Sequence, residues 1–120
     1  MPYGVTAVMT TADDIRRIAL ALPRAYEDTH RRAPAFRVDK RIFGMLPFDP
    51  PRLVIKLERE DQLNMVEAYP GLVTLDGRYS HHGWTAVWFE GVDPDLLETL
   101  LRLAWINVAP KTLVKESLRP

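Results

Sequence analysis

The stretch Tyr79-Ser80-His81-His82-Gly83-Trp84-Thr85-Ala86-Val87-Trp88-Phe89-Glu90 decides the fold of this 120-residue chain. It contains two of the three histidines and two of the three tryptophans. Its second half alternates as a β-strand does, with one face formed by Thr85, Val87 and Phe89 and the other by Trp84, Ala86, Trp88 and Glu90. The pattern predicts a strand over Trp84–Glu90, preceded by a polar turn at His82 and Gly83.

Length and composition restrict the class of protein. A chain of 120 residues that is 47% hydrophobic and 27% charged is typical of one globular domain. We expect a flexible leader over residues 1–9 and a single domain over residues 10–118. The chain has no cysteine, which excludes disulfides and thiolate chemistry. Without a signal-like or membrane-spanning run, we expect a cytoplasmic protein with no membrane partner.

The formal net charge is zero, but the charges are unevenly distributed. Residues 30–56 contain seven basic and two acidic side chains, whereas residues 57–98 contain two basic and nine acidic ones. Such segregation makes one face of the protein electropositive if the basic segments fold together. The alternative is that the charges cancel across paired strands and neighbouring helices.

Local patterns predict the order of the secondary structure. A helix begins at Thr10-Thr11, carries the apolar stripe of Ile15, Ile18, Ala19 and Leu22, and ends at Pro23. The later helices are predicted over Glu58–Tyr69, from Asp93-Pro94 onward, and over Lys111–Leu118. The remaining strands are predicted over Ala25–His30, Ala35–Val38, Arg41–Leu46, Arg52–Leu57 and Leu72–Leu75.

This order indicates an α+β two-layer sandwich, in which an antiparallel sheet has helices on one face. We write it as α-β(3-4)-α-β(2)-α-α. The helix over Glu58–Tyr69 is predicted to turn Leu63, Val66 and Tyr69 inward, and the leucine-rich helix after Pro94 to cover the sheet. The other face of the sheet is then open, and strand alternation assigns to it Arg37, Lys56, Trp84 and Trp88.

The candidate catalytic groups do not form a catalytic pattern. His81 and His82 are adjacent, so their side chains point to opposite sides and cannot easily chelate one metal ion. Ser80 beside these histidines lacks the strained turn that exposes a nucleophile, and no Gly-rich phosphate loop is present. We therefore expect no enzyme activity, no metal and no cofactor. His82 is predicted to hydrogen-bond the turn and stack on a ring, and His81 to face solvent.

Several short sequence segments, taken in chain order, resemble those of the MmcQ/YjbR family of small bacterial proteins. They are Asp14–Pro23, Glu27, Pro34–Val38, Ile42–Leu46, Leu53–Leu57, His82–Val87 and Ala109–Lys111. The resemblance spans roughly residues 10–118. It implies a two-layer fold like that of double-wing DNA-binding proteins, and members of the family are often named as DNA-binding on that structural ground. It implies no defined catalytic activity.

Binding to nucleic acid needs cations together with groups that read or stack bases. The candidate site residues for nucleic acid or another ligand, if they share the open face, are Arg37, Lys56, Arg78, His82, Trp84 and Lys111. The alternative is a protein- or small-ligand-binding adaptor, whose mark would be an apolar groove at Trp84 and Trp88. We expect DNA, or else a protein or small ligand, as the partner of a monomer or weak dimer.

Overall fold

The computed structural model describes residues 9–119; apart from Met9, the predicted flexible leader lies outside them. The helices are α1 (Ala12–Leu20), α2 (Arg59–Ala68), α3 (Pro94–Val108) and α4 (Lys111–Ser117). The strands are β1 (Tyr26–His30), β2 (Ala33–Val38), β3 (Arg41–Met45), β4 (Leu53–Lys56), β5 (Val73–Leu75) and β6 (Trp84–Val87). Short 3-10 helices cover Ser80–His82 and Phe89–Gly91.

The six strands form one sheet in the order β1-β2-β3-β4-β6-β5, and every pair is antiparallel. β6 therefore lies in the interior, between β4 and β5. The predicted α+β fold, with its order of helices and strands, is confirmed. The predicted strand over Trp84–Glu90 is shorter than expected, because the chain leaves the sheet after Val87 and turns into the 3-10 helix at Phe89.

The core lies between the helices and one face of the sheet. From the strands it takes Phe36, Leu53, Ile55, Val73 and Val87. From α1 and α3 it takes Ile15, Ile18, Ala19, Leu97, Leu100, Leu101, Ala104 and Trp105. These helix positions recur every three or four residues, which places them on one side of each helix. The leucine-rich helix covers the sheet, as the sequence predicts.

The helix starts follow their capping residues. Thr11 accepts a hydrogen bond from the backbone N–H of Asp14, and the Asp14 carboxylate accepts one from the backbone N–H of Thr11. Asp93 caps α3, where Pro94 occupies the first turn. At the far end of α3 the Trp105 indole N–H donates to the carbonyl oxygen of Pro23 at 3.0 Å, which joins α3 to the end of α1.

One prediction for α2 is wrong. Leu63 is 47% exposed, and the residue that α2 buries completely is Gln62. Val66 and Tyr69 are partly buried against the core, as predicted. The reason is chemical, since the backbone carbonyl groups of Ser80, in the 3-10 turn, and Trp84, at the start of β6, face α2, and an amide side chain donates to them where a leucine could not.

Candidate nucleic-acid interface

The face of the sheet opposite the helices carries the predicted site. In the antiparallel register Lys56 lies beside Trp84, and Val54 lies beside Met45 and Ala86. Paired residues share a face, and these alternate with the core residues Leu53 and Ile55. We call the face that bears Lys56 and Trp84 the open face.

A groove of about 660 Å³ lies at one end of the open face. We call it the cationic groove, because four basic side chains line it, namely Arg37, Arg41, Lys56 and Arg59. The imidazoles of His81 and His82 and the indole of Trp84 also line it, and Glu58 is the one acidic residue among the described residues that do so. The remaining lining residues are uncharged, namely Ile42, Leu57, Gly83, Asn107 and Val108. Basic side chains concentrated in a concave surface make the local electrostatic potential positive, which attracts anions, although the formal net charge of the whole chain is zero.

Lys56 is held in the lining of this groove by the sheet. Its ammonium nitrogen lies 5.5 Å from the centre of the Trp84 ring, a cation–π contact between directly paired residues of β4 and β6. The Asn107 side chain donates to the Lys56 carbonyl oxygen at 3.1 Å, which ties β4 to the end of α3. Within residues 9–119 Lys56 has no carboxylate in ion-pair range, so its charge is available to a ligand.

Two other cations of the groove are positioned by hydrogen bonds. Arg37 donates from Nε to Asp28 at 2.9 Å and from Nη1 to the Lys40 carbonyl oxygen at 2.9 Å. Its charge is partly neutralised by the Asp28 carboxylate. Arg59 donates from Nη1 to Oε1 of Gln62 at 2.7 Å, a neutral partner that leaves its charge intact.

The loop that brings the histidines to the groove is anchored by Gly83. This glycine has a φ of 101° and lies so close to β4 that an added Cβ would be 2.1 Å from the Leu57 carbonyl oxygen. Its own carbonyl oxygen accepts from the Leu57 N–H at 2.9 Å. Only glycine fits such a backbone approach at positive φ. The 3-10 turn before it is thereby fixed against the end of β4.

Gln62 anchors the same loop from α2. Its buried amide nitrogen lies 2.9 Å from the Ser80 carbonyl oxygen, 3.0 Å from that of Trp84 and 3.1 Å from Oγ1 of Thr85. The His82 ring stacks on Tyr79 with ring centres 6.1 Å apart, as predicted, but within residues 9–119 its imidazole makes no hydrogen bond to the turn. His81 is exposed, as predicted. The expectation that the two histidines point to opposite sides is wrong, because they lie in a 3-10 turn and not in a strand, and their ring centres are 4.1 Å apart.

A second groove, of about 410 Å³, lies at the other end of the open face. We call it the amphipathic groove, because its walls are apolar or aromatic side chains, namely Met45, Pro47, Val54, Tyr79 and Trp84, whereas its other lining residues are mainly polar. At its base Arg52 donates from Nε to Asp76 at 3.0 Å. Trp84 lines both grooves, so a ligand that crosses this indole would contact both.

Comparison with known proteins identifies the family. The family model described as YjbR matches residues 20–106. The chain belongs to the YjbR family. Among solved structures it is similar to the crystal structure of Deinococcus radiodurans protein DR2400, a DUF419 domain, at 26% sequence identity and a TM-score of 0.74. The match covers 93% of this chain and 91% of that one. No curated protein matches the chain.

In this member of the YjbR family, four of the six predicted site residues line the cationic groove: Arg37, Lys56, His82 and Trp84. Arg78 lines the amphipathic groove, where its guanidinium lies 5.9 Å from the Tyr79 ring centre. Lys111 begins α4 and lines neither groove. Their role in binding stays a prediction.

Sequence reasoning missed Arg41, Arg59 and His81 as groove residues of this YjbR-family chain. Arg41 belongs to the basic segment over residues 30–56, so the uneven charge distribution could have indicated it as a groove residue. Arg59 begins α2 inside the acidic segment, and nothing in its sequence context marks it. It reaches the groove only because α2 starts where β4 ends.

Two further observations concern residues 9–119. No three His, Cys, Asp or Glu side chains there come together as a candidate metal site. None of the helices in that range is both long and apolar enough to cross a membrane.

Proposed function

We propose that this protein binds nucleic acid through the cationic groove, with phosphates on the basic side chains and bases toward Trp84. The observation that carries the proposal is the composition of the groove: four cations and two histidines face one carboxylate in a chain of zero net charge. Phosphate contacts supply most of the affinity in sequence-independent binding. The proposal includes two expectations from the sequence analysis. One is that the fold is like that of double-wing DNA-binding proteins, and the other is that the protein is cytoplasmic.

The arrangement of cations supports a polyanion rather than one isolated anion. The cations come from four separate elements, β2, β3, β4 and the start of α2, so a ligand with several phosphates can contact more than one of them. A nucleic-acid backbone presents successive phosphates in that way. The aromatic ring beside Lys56 adds the stacking surface that binding proteins for nucleic acids commonly use.

The adaptor alternative predicts an apolar groove formed by both Trp84 and Trp88. Trp88 lines neither of the two grooves described above, and its indole N–H donates to Oγ1 of Thr74 at 3.0 Å. Trp88 thus packs on the edge strand β5, beside Thr74 on the open face but outside both grooves. This difference favours nucleic acid over an apolar protein partner.

Salt-titrated fluorescence anisotropy with labelled DNA tests the proposal. We expect binding at low salt to both single-stranded and duplex oligonucleotides, weakening linearly as the logarithm of salt concentration rises. Four phosphate contacts correspond to a slope of about −3 for a single strand and about −4 for a duplex. No binding at low salt, or binding that is insensitive to salt, would contradict the proposal.

A further inference from the structure

The amphipathic groove is built differently from the cationic groove. Its volume of about 410 Å³ falls within the usual range of small-ligand sites, about 300–1,000 Å³. Met45 of β3 and Val54 of β4 line it together with Pro47 and the aromatic rings of Tyr79 and Trp84. These walls suit a flat, apolar-faced ligand, and the basic lining residues His30, Arg31, Arg52 and Arg78 suit one attached to a phosphate backbone.

The base of the groove offers a paired donor and acceptor. Arg52 uses Nε for Asp76 Oδ1 and Nη1 for the Pro50 carbonyl oxygen, at 3.0 and 2.9 Å. Within residues 9–119 this leaves Nη2 of Arg52 and Oδ2 of Asp76 without a protein hydrogen-bond partner. Both side chains are about one-fifth exposed, at 18% and 23%, so these atoms are open to a ligand. A nucleobase edge carries adjacent donors and acceptors of this kind.

The aromatic walls are also available for stacking. Tyr79 is 57% exposed even though the His82 ring stacks on it and the Arg78 guanidinium lies 5.9 Å from its ring centre. Lys56, which lies over the Trp84 ring, lines the cationic groove and not the amphipathic one. The part of the indole that borders the amphipathic groove is therefore not covered by the ammonium group.

We infer that the amphipathic groove holds one unpaired nucleobase of the strand whose phosphates occupy the cationic groove, so that the preferred ligand is single-stranded. This inference rests on the proposed function and adds the class of nucleic acid. A base in a duplex has its hydrogen-bonding edge occupied by its partner and both faces stacked, so it must leave the helix to enter such a groove. Trp84 lies at the boundary, where the strand would pass from one groove to the other.

Anisotropy with four probes tests the inference: a labelled single strand, the duplex of the same sequence, a single strand that carries abasic sites, and a nucleoside monophosphate as competitor. We expect the single strand to bind at least tenfold more tightly than the duplex or the abasic strand. The monophosphate should compete weakly. Equal affinity for the first three probes would overturn the inference but leave the proposed function standing, whereas no binding of any would contradict both. A monophosphate as strong as the strand would overturn the inference by assigning the groove to a free nucleotide.

The substitution Tyr79→Ala provides a second test of the inference. Loss of one stacked base costs about 1–3 kcal/mol, so affinity for the single strand should fall about fivefold or more. Duplex affinity should fall less, since Tyr79 acts on the cationic groove only through its stacking on His82. Tyr26→Ala is the matched control, because Tyr26 is 41% exposed and lines neither groove. Both variants should melt as the parent does within a few degrees. If Tyr79→Ala binds the single strand as the parent does, the base is not in this groove.

Discussion

Gly83 and Leu57 approach each other so closely that a Cβ on residue 83 would lie 2.1 Å from the Leu57 carbonyl oxygen. The contact joins the loop that carries His81 and His82 to the end of β4, the strand of Lys56. The cationic groove thus depends on a backbone-to-backbone contact as well as on the side chains that line it.

Gly83→Ala should therefore destabilise the fold strongly. The φ of 101° and the clash with backbone act together, and we expect a loss of about 3 kcal/mol or more in the free energy of unfolding. Gly71→Ala is the control, since Gly71 has a similar φ of 79° but nothing within 4 Å of an added Cβ. It should cost about 1 kcal/mol. Urea unfolding measures both, and equal losses would show that the close approach is unimportant.

Gln62→Leu should cost about 1–2 kcal/mol, because it removes the amide that donates to the carbonyl oxygens of Ser80 and Trp84, which then keep only their backbone donors. Leu63→Gln, the neighbouring substitution, should change stability by less than about 0.5 kcal/mol because Leu63 is 47% exposed. The urea midpoints of the two variants distinguish the buried Gln62 of the structure from the inward-facing Leu63 that the sequence predicts. A larger loss for Leu63→Gln would favour the sequence prediction.

The sequence correctly predicts which face of the sheet a residue occupies where core and open-face side chains alternate along a strand. The pattern over Leu53–Leu57 correctly separates the core residues Leu53 and Ile55 from Val54 and Lys56, since alternation is a local property of strands. The pairing of β4 with β6 is not local, so the strand patterns could assign Lys56 and Trp84 to one face but could not make them neighbours. Gln62 was missed because hydrophobic periodicity contains no information about which buried carbonyl groups need a donor.

Asp28→Asn should strengthen nucleic-acid binding. It removes a negative charge that pairs with Arg37 at 2.9 Å and frees that guanidinium for phosphate. We expect affinity to rise about two- to fivefold at moderate salt, an effect of about 0.4–1 kcal/mol as for an exposed ion pair. Glu98→Gln breaks the Glu98–Arg102 pair on α3 and makes the same change in net charge. An equal gain in that control would mean that only overall charge matters.

The start of α1 predicts a pH dependence of stability. Hydrogen bonds from Thr11, chiefly from its backbone N–H, hold the pKa of Asp14 below its ordinary value of 3.8. The unfolded chain therefore binds a proton more readily, and stability falls as the pH drops through this range. Asp14→Asn should melt at a lower temperature than the parent near pH 7, and the difference between the two melting temperatures should shrink as the pH falls below 3.8. A difference that stays constant down to about pH 2 would contradict this linkage.

The central claim is that Lys56 and its neighbours bind phosphates, and the salt dependence of Lys56→Ala tests it most directly. For a labelled single strand, loss of one phosphate contact should make the slope of log affinity against log salt shallower by about 0.7. Lys115→Ala on the exposed surface of α4 makes the same charge change outside both grooves and should keep the parent slope. A Lys56→Ala slope equal to that of the parent would contradict phosphate binding at this groove.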